Sequence, residues 1–96
     1  MSVYMIVEAK EVMDKKKYGD YIQKVPETIA RFGGRYLARG GQVKVVSGDW
    51  KPSRLIIVEF DSMAKFDLWW NSPEYRAIAP LREESTKTNA IVVEGV

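Results

Sequence analysis

Apolar and polar residues alternate at the start of the chain. Val3, Met5, Val7 and Ala9 take one parity and Tyr4, Ile6, Glu8 and Lys10 the other, which is the period of a strand. The period then lengthens. Behind Asp14, a suitable N-cap, Tyr18, Tyr21, Ile22, Val25, Ile29 and Phe32 recur at three- and four-residue spacing and predict an amphipathic helix. Pro26 lies inside it and removes one backbone hydrogen bond, so a kink or break is expected near Val25. Gly33 falls where a left-handed residue ends a helix, and Gly34 lets the chain swing into the next strand.

Strict alternation from Arg35 to Arg39 puts Arg35, Leu37 and Arg39 on one face and Tyr36 and Ala38 on the other. Past Gly40-Gly41 the apolar positions are Val43 and Val45, and a glycine bulge or a tight hairpin at that pair would each fit the pattern. Ser47 to Pro52 is dense in turn formers, and RLIIVEFD, Arg54 to Asp61, is a strong strand that pairs with the preceding one as a hairpin. Asp61 or Ser62 caps a second helix with Met63, Phe66, Trp69 and Trp70 on its apolar side. A further helix starts at Asn71 or Ser72, with Pro73 at its first position, and Pro80 is expected to interrupt it. Thr88 to Val96 closes the chain as a strand.

Strand, helix, strand, strand, helix pair, strand is the split-βαβ order of a ferredoxin-like α+β fold, an antiparallel sheet with its helices on one face, here as one domain over residues 1–96. Such a sheet normally shows water its other face, and its strands then alternate cleanly. These do not: Leu55, Ile56, Ile57 and Val58 are apolar on both parities, as is most of Val3 to Val7 and of Ala90 to Val93. Both faces need cover, and one chain has helix enough for one. A second copy packed sheet against sheet, a homodimer with a barrel-like core, satisfies the pattern.

Composition narrows the chemistry. The 96 residues include no cysteine and no histidine, which removes disulfides, thiolate nucleophiles, imidazole bases and His-ligated metals. What remains is carboxylate, lysine, tyrosine, serine or threonine chemistry, an oxygen-ligated hard cation or a borrowed organic cofactor; the expectation is no metal and no cofactor. A net charge of +2 with interspersed signs gives no nucleic-acid footprint, and no apolar run reaches membrane-spanning length. The opening residues read as a strand rather than a leader, so the expected location is cytoplasmic.

FGGRYLARGG, the GDW turn, RLIIVEF, NSPEY, Leu81-Arg82 and the closing VVEG resemble, in order and spacing, the domain of unknown function 1330 family of the dimeric α/β-barrel superfamily. The resemblance runs from about Tyr4 to Gly95 and implies a ferredoxin-like fold and a dimer. It implies no settled activity. Superfamily relatives include cofactor-free monooxygenases and isomerases, and those that depend on histidine have no equivalent here.

The candidate site residues each carry two readings. Arg35 and Arg39 suit a carboxylate or phosphate ligand, or else pair with Glu8, Glu59, Asp49 or Glu94. Arg39 is the preferred ligand contact, since the adjoining glycines permit close approach. Trp69, Ser72 and Tyr75 flank the helix break, where aromatic walls line either a small-molecule cavity or plain core. Trp50, in a turn, caps the barrel end or touches the partner subunit. Glu59 interrupts an apolar strand and is an acid or base candidate beside Tyr75, or an ion-pair partner. Arg82 completes an anion site or favours its helix end. The leading expectation is a homodimer that binds a small apolar or aromatic molecule, carboxylated in one version, between sheet and helices. The alternatives are a cofactor-independent oxygenase or isomerase and a non-catalytic structural dimer.

Overall fold

The computed structural model describes residues 1–96. Its elements are β1 (Val3–Val12), α1 (Lys15–Arg31), β2 (Arg35–Arg39), β3 (Leu55–Phe60), α2 (Met63–Trp70), α3 (Pro73–Ser85) and β4 (Thr86–Glu94). Each helix starts on a side-chain cap that satisfies otherwise orphaned N–H groups. Asp14 accepts from the backbone of Lys16 and Lys17, Ser62 from Lys65, and Ser72 from Tyr75. Phe32 closes α1, and Gly33 follows at φ +76°, the left-handed conformation that suits glycine. The prolines break nothing. α1 runs unbroken through Pro26 and α3 through Pro80, contrary to the local expectation. Each forfeits one backbone donor, but the buried side of its helix, Val25, Thr28 and Ile29 in α1 and Tyr75 and Ala79 in α3, holds it to the sheet.

The strands form one antiparallel sheet in the order β2-β3-β1-β4, the ferredoxin-like topology. The helices cover one face. Val3, Met5, Val58 and Phe60 point into that layer and form the core with Val25, Ile29, Trp69, Tyr75 and Ala79. The other face carries Tyr4, Ile6 and Glu8 from β1, Leu55, Ile57 and Glu59 from β3, and Ile91 and Val93 from β4. Ile91 and Val93 are 62% and 47% exposed, so the second apolar face is present and open.

Strand β2 departs from the alternation. Tyr36 pairs with Val58 and Ala38 with Ile57, which leaves Leu37 as one extra residue, a bulge. The parity flips there. Arg35 stays on the open face opposite Glu59, whereas Arg39 comes opposite Ile56 on the helix side, so the two arginines do not share a face. Gly40-Gly41 is neither the bulge nor a two-residue hairpin. The strand ends at Arg39, and residues 40–54 form an irregular connection in which Val45 and Val46 are exposed rather than paired. Gly40 makes one last ladder bond, N–H to the Leu55 carbonyl at 2.9 Å, and lies against the Arg54 guanidinium.

The result is a slab of 37 × 34 × 16 Å, one layer of helix on one sheet. It exposes 6251 Å². A folded monomer of 11.0 kDa exposes about 5,600 Å², so the uncovered face shows as an excess.

Gly40 combines φ +73° with the Arg54 side chain in the space a Cβ would fill, whereas Gly41 has open space. Gly40→Ala is expected to lower the unfolding free energy by about 1–2 kcal/mol and Gly41→Ala by a small fraction of that. Urea midpoints decide it, and equal midpoints would contradict the packing described.

Candidate functional site

A cavity of about 60 Å³ opens between the helix layer and the sheet. Eighteen residues line it, fourteen of them hydrophobic, and the other four are Arg39, Arg54, Arg82 and Thr88. Its aliphatic floor comes from the sheet, with Val7, Ile56 and Ala90 facing up between the strands. Its aromatic walls come from the helices. Trp69 and Tyr75 are each 1% exposed, with ring centroids 4.2 Å apart, and Trp70 packs on Tyr75 at 5.4 Å.

Ser72 explains why these rings meet. Its hydroxyl donates to the Trp69 carbonyl at 2.8 Å and accepts from the Tyr75 N–H at 3.1 Å, which ties the end of α2 to the start of α3 across Asn71. The indole of Trp69 is fixed in turn by donating to Thr28 at 3.0 Å. These bonds orient the walls.

The polar groups fall into two clusters. In the first, Arg54 Nε donates to the Tyr18 hydroxyl at 3.3 Å, and the Arg39 guanidinium lies 4.7 Å from the centre of the Tyr36 ring. In the second, Arg82 Nε donates to the Tyr75 hydroxyl at 3.3 Å and its Nη1 to Thr88 Oγ1 at 2.7 Å, while Tyr75 and Tyr21 share a hydroxyl–hydroxyl bond at 3.0 Å.

No acidic residue lines the cavity. Arg39 and Arg54 have no carboxylate at ion-pair distance, and Arg82, with a side chain only 15% exposed, has Glu83 alone at 3.9 Å. A partly desolvated guanidinium is normally paired. Arg54 and Arg82 are half-buried and Arg39 is exposed at the edge; the three line one apolar space, and their summed field favours an anion in it.

The tyrosine pair adds a proton donor. Arginine only donates, so the Tyr75 oxygen receives from Arg82. Of the two phenolic protons, one is consumed in the Tyr21–Tyr75 bond and the other is left to point elsewhere. Burial, reinforced by Tyr75, pushes the Tyr21 hydroxyl far above its ordinary value of 10.0, so it holds its proton. Burial likewise raises Tyr36. The arrangement can bind an anion and give a hydrogen bond or a proton to an oxygen.

Of the residues singled out from the sequence, Arg39, Trp69, Tyr75 and Arg82 converge on this cavity. The others do not. Ser72 is the buried cap of α3, and Trp50 is exposed and donates to Glu8 at 3.0 Å. Glu59 lies on the open sheet face, bound by Arg35 at 3.0 Å, with Asp61 on the same guanidinium at 3.1 Å. Ser2 and Arg35 hold the Glu59 carboxyl below its usual range, the reverse of what a general acid needs. Sequence reasoning missed Tyr18, Tyr21, Tyr36 and Arg54. The signal was there: a helix stripe meant only for core carries two hydroxyls, Tyr18 and Tyr21, at i and i+3.

A four-stranded antiparallel sheet with helices on one face and a cavity between the layers defines a ferredoxin-like α+β protein. The chain belongs to the DUF1330 family, a domain of unknown function, which it matches over residues 2–96. No match is found among curated proteins. In structure the chain is similar to RPA0582, a protein of unknown function from Rhodopseudomonas palustris, with TM-score 0.78, 17% identity, and 99% of this chain and 82% of that one covered. It is similar to a dimeric ferredoxin-like protein of unknown function from Jannaschia, with TM-score 0.76, 9% identity, and 99% and 100% covered. It is also similar to SnoaB, a cofactor-independent oxygenase from Streptomyces nogalater, with TM-score 0.71, 10% identity, and 99% and 93% covered.

The Tyr21 hydroxyl makes stability depend on alkaline pH. Above pH 10.0 the unfolded chain releases this proton and the native state keeps it, so unfolding is favoured as pH rises. In Tyr21→Phe the fall of unfolding free energy above that pH is expected to be shallower by about 1.4 kcal/mol per pH unit. Urea unfolding at a series of alkaline pH values measures it, and parallel curves would contradict the buried neutral hydroxyl.

Proposed function

We propose that the protein is a homodimer that binds a small apolar or aromatic molecule carrying a carboxylate or similar anion, in the cavity between helices and sheet. The observation that carries this reading is the set of three arginines, Arg39, Arg54 and Arg82, lining an apolar cavity that has no acidic residue. Guanidinium forks match carboxylates by geometry, and the surrounding rings and aliphatic floor match an apolar body. A solid interior with every arginine paired would have favoured a purely structural role; the cavity and the unpaired Arg39 favour a ligand.

The dimer follows from the uncovered sheet face. Ala38, Ile57, Ile6 and Ile91 form one apolar row across all four strands of the open side. A second copy laid on this row would bury it in a two-fold contact. The Jannaschia protein of similar fold is dimeric, which agrees with this reading.

A second reading, a cofactor-independent oxygenase or isomerase, is favoured by one observation: the uncommitted proton of the Tyr21–Tyr75 pair beside Arg82. There Tyr75 would pass a proton to or from an enolate oxygen, and Arg39 would stabilise the negative charge. SnoaB, of similar fold, works without a cofactor, and the absence of histidine and cysteine in this chain is compatible with such chemistry.

Benzoate is expected to raise the melting temperature in a thermal-shift assay and benzylamine is not, because ligand binding to the native state alone stabilises it. Arg39→Gln should weaken benzoate binding about tenfold or more, the loss of a charged hydrogen bond. Equal stabilisation by acid and amine, or by neither, would overturn the anion site. For the dimer, Ile6→Lys puts a charge in the centre of the open face and should give monomers in sedimentation at micromolar concentration, with helix content retained. A wild-type monomer at that concentration would overturn the quaternary reading.

A further inference from the structure

The two polar clusters of the cavity differ in what they can bind, and the strand register separates them. Arg39 stands opposite Ile56, Ile56 opposite Val7, and Val7 opposite Ala90, so Arg39 marks the β2 side of the floor. Arg54 joins it there: its guanidinium lies against Gly40, the residue after Arg39. Arg82 is on the opposite flank, held by Thr88 of β4. The backbone of Arg54 bonds to Ala9, and Ala9 pairs with Thr88, so the strand positions that carry Arg39 and Arg54 stand two to three strands from that of Thr88, about 10–14 Å at the backbone.

The β2-side cluster offers two guanidinium groups with no carboxylate on either. It suits the two oxygens of a carboxylate. The β4-side cluster is a different acceptor site, because Arg82 already spends Nε on Tyr75 and Nη1 on Thr88. Its Nη2 already has a carboxylate nearby, Glu83 at 3.9 Å, which offsets part of the charge, and beside it the Tyr21–Tyr75 pair has one spare phenolic proton to give. That suits a neutral oxygen, a hydroxyl or a carbonyl, rather than a second carboxylate. Between the two lies a slot with a floor of Val7, Ile56 and Ala90 and a roof of Trp69, Trp70 and Tyr75. A flat ring fills such a slot.

We propose that the ligand is a planar aromatic monoacid with a second, neutral oxygen at the far end of its ring: its carboxylate is held by Arg39 and Arg54 and its hydroxyl or carbonyl by the Tyr21–Tyr75 pair beside Arg82. This rests on the reading of the cavity as an anion site and adds the polarity and shape of the occupant. It also gives the asymmetry of the site a purpose, since a cavity for simple anions would need one cluster.

Isothermal titration of the full-length protein with benzoate, 4-hydroxybenzoate and terephthalate tests it. 4-Hydroxybenzoate is expected to bind about tenfold tighter than benzoate, the scale of one added buried hydrogen bond, and terephthalate no tighter than benzoate. In the double variant Tyr21→Phe/Tyr75→Phe, which removes both hydroxyls of the pair, the ratio between the first two should fall to near one. Should that variant fail to fold, 4-fluorobenzoate gives the readout in the unaltered protein, since it is close in size to 4-hydroxybenzoate without its hydroxyl and should bind about as benzoate does. Benzoate binding with no gain from the hydroxyl, a gain that survives in the double variant or is matched by the fluoro acid, or terephthalate binding tightest would each overturn the two-ended ligand while leaving the anion site standing. Failure of all three acids to bind would overturn both.

Discussion

Three positive charges lining an apolar cavity that holds no acidic residue are the condition on which the functional reading of this molecule turns. A guanidinium that loses part of its hydration needs hydrogen-bond acceptors, and in this cavity Arg54 finds a phenolic oxygen, Arg82 a phenolic and a threonine oxygen with the Glu83 carboxylate at 3.9 Å, and Arg39 the face of a ring. Neutral acceptors solvate a cation but do not neutralise it. The surface of the same chain shows the contrast: Lys17, Arg31, Arg35 and Lys87 each have a carboxylate partner. The cavity arginines differ from these in facing an apolar space that holds no acidic residue. Sites that depart from the local rules of stability in this manner are where function is expected.

The sheet serves both halves of the argument, because its two faces have separate tasks. One face forms the floor under the helices and the cavity, and the other carries an open apolar row. In a slab 16 Å deep these surfaces are only one strand layer apart. Residues of opposite parity on one strand, such as Ile56 and Ile57, belong to the cavity and to the open face respectively.

Much of this was legible in the sequence. The caps at Asp14, Ser62 and Ser72, the order of elements and the doubly apolar strands are local signals, and local chemistry decides them. Four of the site residues were also readable from their types, Arg39, Trp69, Tyr75 and Arg82. The rest depended on tertiary register. Glu59 looked like an acid because its strand is apolar, but strand parity sends it to the other face, where Arg35 meets it. Tyr18 and Tyr21 were hidden by the helical period, which reports that a side is buried and is silent on whether a cavity lies beneath it. Arg54 stood at the edge of a strand, where direction is set by the loop that precedes it. The prolines misled for a related reason: intrinsic propensity weighed one lost hydrogen bond and could not weigh the packing of a whole helix face.

The extra residue at Leu37 carries a consequence for how this site can change over time. No glycine or proline marks the bulge, and no single side chain there makes Arg39 a cavity residue. Parity along a strand has only two values, and Arg39 faces the helices because the bulge takes one of the three residues between it and Arg35 out of the alternation. Pairing Leu37 into the ladder would swing the cation to the far side of the sheet, whereas deleting the extra residue would straighten the strand and leave Arg39 opposite Ile56. Lineages of this chain can therefore shorten β2 by one residue and keep the arginine over the cavity, and an alignment that treats β2 as ungapped would pair residues that serve opposite faces.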